Sequence, residues 1–143
     1  MILNMKRDPN PIEVFNMEKI IINTQKSPKP IGPYNQAILS NNTLYISGQI
    51  ALDPKSMKLV NKSIQDETIQ VMNNLKNILE ECNMDFSNVV KSSIFLSDMK
   101  LFHEVNNVYA EYFKRGNEPA RETLAVKTLP KNVRVEISMI AVK

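Results

Sequence analysis

The 143-residue chain has one cysteine, one histidine and three glycines, and each scarcity removes a class of chemistry. Cys82 has no partner for an internal disulfide or a thiolate metal cluster, which fits a reducing, cytosolic-type compartment. His103 has no second imidazole at metal-ligand spacing, and neither a Ser-His-Asp nor a Cys-His relay finds its base. Gly32, Gly48 and Gly116 are isolated, so no glycine-rich loop can cradle a phosphate, and nucleotide hydrolysis and dinucleotide redox chemistry drop out. No run of about 18 apolar residues occurs, so no helical membrane span is expected. Charge of one sign is scarce as well. Lys and Arg number 18 against 15 Asp and Glu, a net charge of +3 without a long block of like charge, which is a weak footprint for nucleic acid.

The first sixteen residues, MILNMKRDPNPIEVFN, show no strong period and carry Pro9 and Pro11. With one Arg, no Ser, an Asp and a Glu, they lack the composition of an organelle presequence. Residues 1–19 therefore read as a peripheral extension and residues 20–143 as one domain. From Ile20 the pattern is regular. A short apolar strand, Ile20 to Asn23, precedes the proline-rich turn KSPKPIGP. Tyr34 to Leu39 and TLYISGQI, joined across Asn41-Asn42, read as a hairpin. SIQD at Ser63–Asp66 resembles a capping box, followed at helical spacing by Val71, Leu75, Ile78, Leu79 and Cys82. On that stripe Cys82 reads as a small buried hydrophobe. NVVKSSIFLSD is β-branched and aromatic, hence a strand. Asp98 can cap a second helix with its apolar face at Leu101, Val105, Val108, Tyr109, Tyr112 and Phe113; His103 lies off that stripe, at the surface. Two closing strands follow, Thr123–Lys127 and Val133–Val142.

The order β-β-β-α-β-α-β-β implies a two-layer α+β domain, a mixed sheet of about six strands with two helices on one face. The other face is uncovered. Alternation of the last strand puts Arg134, Glu136, Ser138, Ile140 and Val142 on that face, and its apolar residues call for a partner such as a homo-oligomer.

The polar residues left to carry chemistry sit at strand ends and on the second helix: Tyr34, Ser47-Gly48-Gln49, Asn106, Arg121, Thr123 and Glu136. Arg121 stands behind Pro119-Ala120, and in a strand it shares a face with Thr123, so a guanidinium and a hydroxyl could address one ligand. The fork of arginine suits a carboxylate. The competing reading pairs Arg121 with Glu118 or Glu122, and Glu136 with Lys127 or another base.

These residues carry a resemblance. From about Ile21 to Val142 the chain resembles the reactive intermediate deaminase (YjgF-like) family, through SPKPIGPYNQAI, LYISGQIALDP, NVVKSSIFLSDM, VNNVYAEYF, PARETLAVKTLP and VRVEISMIAV, in family order. The resemblance implies cofactor-independent hydrolysis of 2-imino acids, 2-iminobutanoate and 2-iminopropanoate, to 2-keto acids and ammonia, with no metal. It assigns Arg121 to the substrate carboxylate, Tyr34 and Asn106 to the cleft wall, Gly48 to the site strand and Glu136 to the attacking water. Thr123 stands where many members carry a cysteine, and Glu122 where a small residue is common. The implied fold is that of the trimeric chorismate mutases, with the last strand inserted centrally, inward-facing sheets and three clefts between subunits. Without it, the closing strands would pair as a hairpin across Leu129-Pro130. Two further readings are an RNA-binding or endoribonuclease protein, after the older family label, and a trimer that binds small carboxylates without turnover. RNA is not favoured, since Lys26, Lys29 and a few others make no stripe.

Overall fold

In a computed structural model that describes residues 18–143, the alternating segments become six strands and two α-helices. They run β1 (Lys19–Ile22), β2 (Ala37–Ser40), β3 (Thr43–Gln49), α1 (Ile64–Glu81), β4 (Val89–Leu96), α2 (Phe102–Ala110), β5 (Ala120–Ala125) and β6 (Val135–Val142). The expectation of a peripheral extension falls on residues 1–17, outside the described residues, and on 18–19, of which Lys19 already belongs to β1. No helix among the described residues is long and apolar enough to cross a membrane.

Local chemistry explains most boundaries. Asn41, at φ 52, occupies the left-handed region that asparagine tolerates, and it turns β2 into β3 with Ser40 opposite Thr43. The Ser63 side chain accepts the Asp66 N–H at the start of α1, the expected cap. At the other end Asn83 takes φ 54, and the N–H groups of Asn83 and Met84 return to the carbonyls of Glu80 and Leu79, which satisfies carbonyls the helix leaves open. Asp98 caps a short 3-10 turn, Met99–Leu101, and not α2 itself, which begins at Phe102 without a side-chain cap. Tyr112 and Phe113 lie beyond the end of α2 and pack edge-on against Phe86.

The sheet order is β1-β2-β3-β6-β4-β5. All neighbours are antiparallel except β4 and β5. Since β6 is antiparallel to both β3 and β4, those two run parallel, and β3-α1-β4 and β4-α2-β5 are successive crossovers in one direction. Right-handed connection puts both helices on the same face. The hairpin of closing strands does not form: β5 pairs with β4, and β6 fills the gap that the α1 crossover leaves between β3 and β4, as the family resemblance implied. β5 also starts earlier than its sequence pattern, at Ala120, because pairing with Lys91 of β4 extends it.

The helix-facing side holds the core, with Leu44, Met72, Leu75, Ile78, Leu79, Ile94, Leu96, Ile137 and Met139 almost fully buried. On the other side no element among the described residues covers the row Ile21, Ile38, Tyr45, Ile140, Lys91 that register aligns across five strands. Tyr45 is 50% exposed and Leu124 52%. Arg134 departs from the expected alternation. It precedes β6, and its guanidinium turns back to Glu67 on α1, because a buried carboxylate there attracts it more strongly than water.

Candidate active site

Arg121 lies on β5 opposite Ser92 of β4. Ser92 is buried and its hydroxyl accepts from the Tyr109 O–H at 2.9 Å, so this is the helix-facing side. The Arg121 guanidinium carbon sits 5.0 Å from the Tyr109 ring centre and 5.8 Å from that of Phe102, a cation held over aromatic faces. Burial pushes the Tyr109 hydroxyl up, against the opposing pull of Ser92 and Arg121, so the ring stays neutral. Neither expected acid engages Arg121. Glu118 accepts the Gly116 N–H at 2.8 Å, and Glu122 points to the uncovered side, where it pairs with Lys91 and accepts from Ser93. Those contacts hold its carboxyl below the ordinary range. No carboxylate among the described residues lies within ion-pair distance of Arg121, so its fork of donors is open to a ligand. Asn106, His103 and Asn107 on α2 line a groove of about 490 Å³ with Arg121, Glu118 and Pro119.

Glu136 lies elsewhere. It pairs with Phe95 of β4 and alternates with Val135 and Ile137, both fully buried against the helices, so it faces the uncovered side. Nearby, opposite Ser138, β3 carries an extra residue between Ile46 and Gln49, a bulge of the kind that re-aims side chains beside sites. Gly48 stands in that bulge. A Cβ there would lie 2.0 Å from Glu136 Oε1, so the carboxylate occupies the volume of a missing side chain. Tyr34, Ile31, Ser47, Ile50 and Pro130 complete a cleft of about 360 Å³ around it. No cation among the described residues pairs with Glu136, Lys127 included. Burial alone pushes its carboxyl above the ordinary range.

One chain therefore brings together Tyr34, Gly48 and Glu136 in one cleft and Asn106 and Arg121 in another groove, on opposite faces of the sheet. Thr123 lines neither. It follows Arg121 on the same face, opposite Ile94, and its Oγ1 is buried without a hydrogen-bond partner. His103 is exposed at the groove rim, and Cys82 is buried, its thiol pushed up by desolvation.

Sequence reasoning missed the residues that hold the cleft walls. Gln36, 3% exposed, accepts the Thr24 N–H and donates to the carbonyls of Thr24, Ser27 and Pro28. It thereby shapes the loop leading to Tyr34. Asn74 donates from α1 to the carbonyls of Ile50 and Leu52, and its own carbonyl accepts the Ser27 hydroxyl. The signal was a polar residue on an apolar helical stripe, since Glu67 and Asn74 share the spacing of Val71 and Ile78.

Comparison with known proteins places these features. The sequence profile described as Endoribonuclease L-PSP matches residues 24–143. A human protein named 2-iminobutanoate/2-iminopropanoate deaminase is 45% identical over 123 residues, 86% of this chain and 89% of its own length. Reactive Intermediate Deaminase A, chloroplastic, of Arabidopsis thaliana is 41% identical over 91% of this chain and 69% of its own. Among solved structures, yeast Mmf1 superimposes with a TM-score of 0.84 at 42% identity, covering 88% of this chain and 99% of its own. TdcF of E. coli with bound serine gives 0.81 at 32% identity, covering 87% and 98%. Matched through most of its described residues, the chain belongs to the endoribonuclease L-PSP family, which includes the reactive intermediate deaminases.

Proposed function

We propose that the protein hydrolyses small reactive 2-imino acids, 2-iminobutanoate and 2-iminopropanoate, to 2-keto acids and ammonia in a site completed by a second copy of the chain. It is an enzyme acting on carbon–nitrogen bonds of a small-molecule substrate. The observation that carries the reading is the pair of half-sites, an unpaired guanidinium in one groove and an unpaired, desolvated carboxylate in another cleft. Both are of the kind a site keeps for its ligand. Arg121 binds the substrate carboxylate in a two-pronged contact. Thr123, whose buried hydroxyl lines neither half-site of a single chain, backs Arg121 from the same strand face, while Asn106 and Tyr34 form the walls.

The reaction needs little more than positioning, because the imine carbon is already electrophilic. Glu136 takes a proton from water as the water oxygen adds to that carbon, and returns it to the imine nitrogen. The hydroxyl proton of the resulting amino alcohol then passes by way of Glu136 to the amine as the carbon–nitrogen bond breaks, releasing ammonia and the keto acid. Burial keeps the Glu136 carboxyl above the ordinary range, closer to neutral pH where a base works best. With Glu136 on the uncovered face and Arg121 on the edge strand β5, association that sets the β5 edge of one chain beside the uncovered face of another brings a groove to a cleft. A homotrimer with sheets facing inward supplies three such sites. The lone buried Cys82 fits the cytoplasm as the compartment.

Mixing tests this. Arg121→Ala and Glu136→Gln chains, each inactive alone, are unfolded, mixed and refolded together. Imines are generated from threonine by a dehydratase, and ammonia release is followed. Random assembly should recover about a quarter of wild-type turnover, because one site in four joins an intact arginine to an intact glutamate. No recovery in well-assembled mixed oligomers would show that the site does not cross the interface.

A further inference from the structure

Glu67 is 1% exposed on the core-facing stripe of α1, where a carboxylate is costly unless fully paired. Both oxygens of its carboxylate are bonded to one residue. Oε1 accepts the backbone N–H of Arg134 at 2.7 Å, and Oε2 accepts its Nε–H at 2.7 Å. The guanidinium reaches on to the Asn61 carbonyl at 3.0 Å. On its other side, the Arg134 carbonyl accepts the Ser97 N–H at 3.0 Å. Residue 134 is thus held from α1 and from the end of β4 at once.

The segment just before it is what needs holding. Lys131 and Asn132 are both left-handed, at φ 55 and 54, a region that residues with a Cβ populate sparsely. Pro130, at the start of this turn, is a wall of the Glu136 cleft, and Ile50 is another. Ile50 belongs with Leu52 and Val133 to a small cluster separate from the main core, flanked by Met57, Leu59 and Leu129. The cleft wall therefore rests on a satellite core and one ion pair.

We propose that Glu67 is a positioning residue: by clamping Arg134 it holds the left-handed turn, and with it Pro130, against Glu136, keeping that carboxylate desolvated and aimed. The inference rests on the reading of Glu136 as the residue that handles water. Groups facing Glu136 are Phe95 on β4, Ser47 and Gly48 on β3, and Tyr34, Ile31, Ile50 and Pro130 from the loops. Of these only Tyr34 is titratable, and its hydroxyl accepts the Ile31 N–H. Loosening the turn admits water, which lowers the Glu136 pKa towards the ordinary carboxylate range.

The test compares full-length Glu67→Gln with Ile78→Val, a core substitution elsewhere on α1 that serves as a destabilised control. Glu67→Gln should lower kcat about tenfold with KM little changed. It should move the acid limb of the pH–rate profile to lower pH and raise amide exchange at residues 131–134 about tenfold. Ile78→Val should lose thermal stability and show none of the three. If Glu67→Gln does not fold, Arg134→Lys, which keeps the backbone bond to Glu67, should show the same changes at smaller size. A folded variant with unmoved kcat, acid limb and exchange overturns the proposal. If Glu136→Gln itself turns over at the wild-type rate, the reading of Glu136 fails instead. Glu67 is then judged by exchange alone, and unchanged exchange refutes the clamp.

Discussion

Gly48→Ala isolates the placement of Glu136 from its chemistry. Gly48 does not occupy the left-handed region, since Gly116 is the one described glycine with positive φ, so an alanine backbone fits. The added Cβ does not fit. It would stand 2.0 Å from Glu136 Oε1, 2.8 Å from Cδ and 3.1 Å from Cγ, whereas ordinary contact begins at 3.4 Å. The carboxylate oxygen must therefore move by at least the difference between 2.0 and 3.4 Å, and the crowding at Cγ means that the side chain rotates as a whole. Because Glu136 has no partner to lose, the rotation is cheap. Alanine also restricts the unfolded chain, so the net change in stability should stay within about 1 kcal/mol. Catalysis should suffer far more. Misplacing a reacting group by an ångström costs up to about 100-fold, or roughly 2.7 kcal/mol of barrier. The coupled imine assay, run beside thermal unfolding, reads both quantities. Turnover within about threefold of wild type in a folded variant would mean that the position of Glu136 does not limit the reaction. A loss of stability well beyond 1 kcal/mol would mean that the cleft cannot absorb the methyl by side-chain rotation.

Arg121→Lys should fold normally, since no ion pair among the described residues depends on the guanidinium, yet lose most imine turnover because an ammonium cannot make the two-pronged contact; near-normal rates would remove the carboxylate-binding role. Glu136→Gln should lower turnover by roughly two orders of magnitude and, at neutral pH, raise the melting temperature. The sign follows from the raised carboxyl pKa: the folded state binds that proton more tightly than the unfolded chain, so wild-type stability falls as pH rises through the folded value. The stabilising effect of the variant should therefore disappear below the ordinary carboxylate range, and a gain that is the same at all pH would assign it to packing. Imine hydrolysis should vary little between low and physiological salt, whereas RNA held through several phosphates would lose on the order of a hundredfold. Nuclease activity that survives Arg121→Ala and travels with the protein, alongside absent imine turnover, would overturn the deaminase reading.

Short-range pattern was enough to read the element order, the Ser63 cap, the Asn41-Asn42 hairpin, the burial of Cys82 and the shared face of Arg121 and Thr123. Each depends on a period or a cap within a few residues, where backbone geometry leaves few choices. Pairing partners were different. Leu129-Pro130 looks like a hairpin turn because a local connection costs the least entropy. The left-handed Lys131 and Asn132 instead send β6 into the slot between β3 and β4, where Ile137 and Met139 are buried against the helices. Only a sheet already assembled offers that slot, and no local pattern encodes it; the six family segments carried it because relatives share the assembled fold. The division of the site has the same origin. Arg121 and Glu136 both stand on strands near the end of the chain, but register sets Arg121 beside Ser92 and Glu136 beside Phe95, an odd number of residues apart on β4, and so turns them to opposite faces. The tertiary structure also decided which charges are free. Glu67 captures Arg134 and Lys91 captures Glu122, across separations of 67 and 31 residues, and this leaves Arg121 and Glu136 without ion-pair partners among the described residues.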